Sequence, residues 1–400
     1  MFTIVKNKLF TFVKNNFVPM KQLATQFLVD ELKGRYITNE SIKPLFEKFQ
    51  NECLIHDEGK SVLDNSIYSI TIGTGKTKVL MWSQMHGNEA TTTKGFFDFL
   101  NFLVSKEPLA ETILSQYTIK CIPILNPDGA AAYTRVNANE IDLNRDAFAI
   151  TQPESKLLRS LLLEFQPDLA YNLHDQRTIF GTEGFQLPAT MSFLAPAYNE
   201  YRDFNETRLK AVKIINTMNL ELQKHIPNHV GRFDDSFNIN CIGDYATSIG
   251  IPTILFEAGH YSNDYQREEV RKMVFVALLS SFSEKSNSEV GNELEVYLNI
   301  PQNSKCFFDF IYRNVKIISN DEEKIITFAA QFDEKLENNQ IKFEAKIIQV
   351  EDLDTVKGHL EYDAQQMVFS SESGNFPKIN HKANFYLNKL LKFDNGLQFL

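Results

Sequence analysis

Apolar and polar positions along the chain fall into two periods, and the changes between them mark out the elements. From Gln22 to Glu52 the apolar residues recur at helical spacing, through Phe27, Leu28 and Leu32 and then Ile42, Leu45, Phe46 and Phe49. Thr38-Asn39-Glu40-Ser41 supplies a start signal between two helices. Short apolar runs predict strands at 66–71, 78–83, 118–125, 168–173 and 252–256, with helical stretches at 89–104, 154–165, 206–224 and 266–283 between them. Alternation of this kind predicts an α/β layered sheet. After residue 283 the polar run SEKSNSEVGNE reads as a linker. The β-favouring segments beyond it (306–318, 324–332, 341–350 and 366–370) predict a small β-rich domain. The expected organisation is an N-terminal helical segment over 1–60, an α/β catalytic domain over 61–285 and a β-rich C-terminal domain over 295–400.

Composition narrows the function classes. Hydrophobic residues make up 43% and charged residues 23% of the 400, which are globular proportions. A formal net charge of -10 argues against nucleic acid or an anionic membrane as partner, while leaving room for a local positive pocket. The four cysteines form no C-x-x-C pair, so no cysteine metal site is expected. Lysines interrupt the apolar stretches of MFTIVKNKLFTFVKNNFV, and no run reaches bilayer-spanning length. The expectation is a cytoplasmic setting; the oligomeric state is left open.

Polar residues cluster where the apolar runs end. KVLMWSQ leads into Met85-His86-Gly87-Asn88-Glu89, IKCIPIL into Asn126-Pro127-Asp128-Gly129, DLAYN into Leu173-His174-Asp175, and PTILF into Glu257-Ala258-Gly259-His260. Ligand sites of open α/β sheets gather beyond the carboxyl ends of the strands. His86 and Glu89, spaced H-x-x-E, suit zinc, and His174 offers a third ligand, leaving a position for water. Taken alone, the spacing equally fits a helix-start glutamate and a surface histidine. Glu257 fits either a solvated strand end or a general base. Arg135, Asn144 and Arg145 can hold a carboxylate and polarise a carbonyl, or simply carry surface charge.

Together, H-G-N-E, N-P-D-G, R-x-N with a later D-L-N-R, N-L-H-D and a strand-ending F-E resemble the zinc carboxypeptidases of the carboxypeptidase A-like (funnelin) family, over about half the chain. The resemblance implies a mixed central sheet flanked by helices and one zinc ion per chain. It implies His86, Glu89 and His174 as metal ligands and Glu257 as catalytic glutamate. Arg135 would stabilise the oxyanion, and Asn144 with Arg145 would grip a terminal carboxylate. The implied activity is hydrolysis of an amide bond beside a free C-terminal carboxylate. The succinylglutamate desuccinylase and aspartoacylase group shares H-G-N-E and a β-rich C-terminal domain, so a peptide and an N-acyl amino acid are both candidate substrates. A non-catalytic binding protein on the same scaffold is the rival from another class.

The sequence also departs from the family. No tyrosine occurs between Tyr201 and Tyr245, where the family usually carries a substrate-contacting one; Phe233 or Phe237 lies nearest. Gly243 matches the specificity-pocket position and predicts no charged selector there, Asp244 included. Gly73-Thr74-Gly75-Lys76-Thr77 lacks the first glycine of a phosphate loop and is expected to be a hairpin turn. His225 and His229 have metal-like spacing, but Pro227 interrupts any helix between them, so both are expected at the surface. His260 is expected in a loop, and the phenylalanines of 96–102 in the core.

Overall fold

The computed structural model describes residues 19–282, 292–319 and 322–399. The lysine-rich N-terminal stretch and most of the polar linker lie outside the described residues. The first ten strands in chain order are β1 (Leu54–Lys60), β2 (Ser66–Ile72), β3 (Thr77–Ser83), β4 (Tyr117–Ile122), β5 (Leu169–Asp175), β6 (Phe180–Thr182), β7 (Leu187–Pro188), β8 (Met191–Leu194), β9 (Val230–Arg232) and β10 (Thr253–Ala258). Eight of them make one mixed sheet in the order β1-β2-β4-β3-β5-β10-β8-β9. The central neighbours β4, β3, β5 and β10 run parallel, so their carboxyl ends share one edge.

Both faces of these central strands are apolar, as parallel strands covered on two sides require. Val79 and Met81 of β3 join the larger core with the helices Thr91–Leu103 and Glu268–Ser281, whereas Leu80 and Trp82 face a second core against the helices Pro153–Phe165 and Ile242–Ser248. The helix Thr91–Leu103 buries Phe96, Phe97, Phe99 and Phe102 in the larger core, as its spacing predicts. The N-terminal helices Met20–Gln26 and Asn39–Phe49 pack into the same core, the second opening on a capping box between Thr38 and Ser41. Phe27, Leu28 and Leu32 lie beyond the first helix, which ends at Gln26. Here the buried Asp98 takes over as organiser. It accepts from the Val29 N–H at 2.7 Å and from both Nε and Nη2 of Arg271.

The Gly-Thr-Gly turn is not a hairpin. β4 lies between β2 and β3, so the turn is a crossover, and Gly75 passes so close to the backbone of 116–117 that a Cβ would sit 1.8 Å from the carbonyl carbon of Gln116. His225 and His229 are half-buried rather than free: His225 pairs with Glu221, and His229 bonds the carbonyl of Pro188.

After the linker come β11 (Asn303–Lys305), β12 (Phe307–Ser319), β13 (Glu322–Glu337), β14 (Gln340–Val350), β15 (Lys357–Asp363), β16 (Phe369–Ser370), β17 (Phe385–Leu387), β18 (Leu391–Asp394) and β19 (Leu397–Gln398). β11 returns to pair with β6, in a small sheet ordered β11-β6-β7. The others build two four-stranded sheets, β14-β13-β12-β15 and β16-β17-β18-β19, around an aromatic core that includes Phe310, Tyr312, Phe328 and Phe385. Among the described residues no helix is long and apolar enough to cross a membrane.

Candidate active site

The loop after β3 is held in place before it presents any chemistry. Gln84 adopts a left-handed backbone (φ 43°), and its side chain donates to the carbonyls of Ile37 and Gly87 and accepts from the Thr93 hydroxyl. Gly87 lies against the loop from β4: a Cβ there would sit 1.9 Å from the carbonyl carbon of Gly129. Asn126 completes the junction, donating to the Met85 carbonyl and accepting from the Gly129 N–H. Turn chemistry legible in H-G-N-E and N-P-D-G thus serves to press two strand-end loops together.

Three buried side chains converge at this edge. His86 Nδ1 lies 2.8 Å from Glu89 Oε1, His174 Nδ1 lies 2.8 Å from Glu89 Oε2, and the two Nδ1 atoms are 3.1 Å apart. Zinc–ligand bonds of about 2.0–2.1 Å in a tetrahedron place ligand atoms roughly 3.3 Å apart. The donor set and its spacing therefore fit a zinc ion with little adjustment. Tautomer chemistry agrees. His86 Nε2 lies 2.9 Å from a carboxylate oxygen of Asp142 and must donate its proton there, which leaves the Nδ1 lone pair facing Glu89 and His174.

Asp142 is the residue that sequence reasoning missed. Its Oδ1 accepts from His86 and from the Asn144 N–H, while its Oδ2 accepts from Nε and Nη2 of Arg135 at 3.1 and 3.0 Å. One carboxylate thus orients a metal ligand, the candidate oxyanion arginine and the turn carrying Asn144 and Arg145. Its signal was present in D-L-N-R, as an aspartate heading a short turn, but nothing local reveals a partner 56 residues away.

Register explains Glu257. In the parallel pair β5–β10 it is the direct partner of His174, so both side chains project from the same face of adjacent strands. Glu257 is half-buried, and its Oε2 is shielded and has no hydrogen-bond partner. Burial, reinforced by the charges of Glu89 and Asp175, pushes its carboxyl well above the usual carboxylate range. Glu89 goes the other way: burial opposes ionisation, but His86 and His174 overcome it and hold the carboxyl well below that range. Burial lowers the His174 pKa, so the ring favours the neutral form that a metal requires.

All seven residues singled out from the sequence line one cavity of about 900 Å³: His86, Glu89, His174, Glu257, Arg135, Asn144 and Arg145. Phe233 and Phe237 line it too, as do Gly243 and Asp244. The Asp244 carboxylate accepts from the Asn238 N–H, and burial raises its pKa to about 7. From beyond the linker, Asn303 and Lys305 of β11 complete the wall. Asn303 donates to Gln176 and accepts from Ser192, the β8 partner of Glu257.

Fold and site together resemble those of zinc carboxypeptidases. Residues 38–157 match the family model described as zinc carboxypeptidase. The matched stretch holds His86, Glu89, Arg135, Asn144 and Arg145. Among curated proteins, carboxypeptidase SOL1 of Arabidopsis thaliana is 26% identical over 167 residues, covering 36% of this chain and 34% of its own length. Cytosolic carboxypeptidase-like protein 5 of Danio rerio is 38% identical over 74 residues, covering 18% of this chain and 8% of its own. The chain thus spans about a third or less of the length of these relatives. A solved metallo-carboxypeptidase from Burkholderia cenocepacia shares the fold, with a TM-score of 0.50 and 17% identity over 61% of this chain and 68% of that one.

Proposed function

We propose that this protein is a metallocarboxypeptidase that uses one zinc ion at His86, Glu89 and His174 to hydrolyse an amide bond beside a free C-terminal carboxylate. The observation carrying this reading is the convergence of that donor set with Glu257, which stands in register with His174. A zinc ion bound there supplies Lewis acidity, polarising a carbonyl and making a water acidic near neutral pH.

The chain's own groups do the rest. Glu257 lines the cavity and takes a proton from the attacking water; positive charge at the neighbouring ligand set would draw its raised pKa down to where it can do so. It then returns that proton to the leaving nitrogen. Arg135, held by Asp142, donates to the oxygen on which charge develops. Arg145 and Asn144 hold the terminal carboxylate and set which bond meets the site. The absent tyrosine removes one hydrogen-bond donor from the cleft, and Phe233 and Phe237 offer packing in its place. The proposed setting is the cytoplasm.

Glu257→Gln tests the mechanism. The variant should bind zinc stoichiometrically by metal analysis and lose at least about a hundredfold in turnover on a mixed panel of peptides and N-acyl amino acids. Turnover near the wild-type rate would remove Glu257 as the base. Wild-type cleavage of N-acyl amino acids alone would move the reading to a deacylase, and bound zinc without any turnover would favour a binding protein.

A further inference from the structure

We infer that the cleft takes a substrate with a second carboxylate upstream of the bond to be cut, and that Arg177 and Lys305 receive it. The inference rests on the carboxypeptidase reading above and names the substrate class of that site. Beside the main cavity lies another, of about 360 Å³, and the two share Glu89, Arg135, Asp175, Gln176 and Arg177 as a common wall. Asn144, Arg145 and Gly243 line the main cavity only. Arg177 therefore sits where the two cavities meet, whereas Arg145 lines the main one alone. A substrate whose terminal carboxylate rests on Arg145 and whose scissile carbonyl meets the ligand group can run its upstream part towards Arg177.

Lys305 joins it from the appended strand. It is the β11 partner of Phe180, three residues along the chain from Arg177, and lines the main cavity with it. Arg145, Arg177 and Lys305 are all exposed, and none makes an ion pair among the described residues. Four carboxylates of the cavity are engaged within the chain, and the fifth, Glu257, is the proposed base. Glu89 meets the two histidines, Asp175 accepts from the N–H groups of Thr91 and Thr92, Asp234 from Ser236, and Asp244 from Asn238. Three exposed cations without an ion-pair partner among the described residues thus line one cleft. One cation accounts for a terminal carboxylate; the other two call for another anionic group.

Two probes differing in one group test this: N-acetyl-Glu-Leu and N-acetyl-Gln-Leu. Their binding is measured by calorimetry on the zinc-loaded full chain carrying Glu257→Gln, while turnover of the same probes is followed on the wild type. The Glu probe should bind roughly three- to tenfold more tightly, with the gap narrowing as salt is raised. Adding Arg177→Ala and Lys305→Ala should close the gap, and Arg177→Glu with Lys305→Glu should invert it. Equal binding of the two probes, or a gap that survives the double alanine change, overturns the inference. A gap without turnover of either probe, or of the mixed panel, would instead reject the hydrolytic reading and leave an anion-binding cleft.

Discussion

The side chains at the heart of this site do more than one job each, and Asp142 does the most. It fixes the tautomer of His86, bonds Arg135 through two nitrogens and caps the turn bearing Asn144. Loss of such an outer partner typically weakens metal binding by about 10- to 100-fold. Asp142→Asn should therefore lower zinc affinity by that order in a chelator competition, with the fold intact by circular dichroism. Undiminished affinity would mean that His86 needs no orientation. Arg145 makes a different claim. It lies exposed and donates to the neighbouring carbonyl of Asn144 at 2.8 Å beside the Cys241 thiol, so with five N–H groups it has donors to spare for a ligand. Arg145→Ala should raise KM for substrates with a free carboxylate more than it lowers kcat, and should leave an amidated analogue's binding alone. His86, Glu89, His174 and Glu257 stood out in the sequence because they follow apolar runs, whereas Arg135, Asn144 and Arg145 were picked out by the family resemblance. Asp142 was not, since its three roles are all contacts made after folding.

At the scale of elements, the site is a property of strand ends. β3 and β5 lead to the candidate ligands and β10 brings Glu257, and their parallel pairing puts residues far apart in sequence on one edge. The pressing of Gly87 on Gly129 holds the β3 loop in place. Gly87→Ala places a methyl group against backbone that cannot yield, and overpacking of this kind costs about 1–3 kcal/mol. The variant should melt several degrees lower and bind zinc more weakly; an unchanged melting temperature would show that the two loops are free to part. Long elements were read well, the helix Pro153–Phe165 among them. β1, with the polar sequence LIHDEGK, and the short β8 and β9 were not, because strands of this kind gain their hydrogen bonds from neighbours rather than from any pattern of their own. The same limit explains the turn at 73–75: its glycines announce a reversal, but not that β4 will occupy the place beside β2.

Across the whole molecule, the appended β-sheets meet the α/β layer along a seam of aromatic rings. His359 stacks on Phe307 at 4.7 Å and packs against His260 at 4.1 Å, while its Nε2 donates to the Thr178 carbonyl. Burial lowers the His359 pKa to about 4, and burial takes His260 well below its ordinary value as well. A histidine near 6.5 when unfolded and near 4 when folded binds more protons in the unfolded chain between those values. Its contribution is complete above about pH 6.5 and is lost as pH falls towards 4, amounting to about 3 kcal/mol. Denaturation measured from pH 7 to 4 should show falling stability, with a shallower slope in His359→Phe. An identical slope in the variant would place the titration elsewhere. β11 ties the seam to the candidate site, since it brings Asn303 and Lys305 to the wall of the cavity from beyond the linker.

The order of motifs along the chain carried the resemblance to zinc carboxypeptidases, the candidate ligands and the edge of the sheet on which they gather, because apolar periodicity and strand-end polarity are local and survive in one dimension. What only the tertiary structure decided was partnership: that Asp142 serves His86 and Arg135 at once, that Glu257 stands in register with His174, and that a strand from beyond the linker helps to wall the cleft. Those depend on strand order and on distances between residues far apart in sequence, and no spacing rule encodes them.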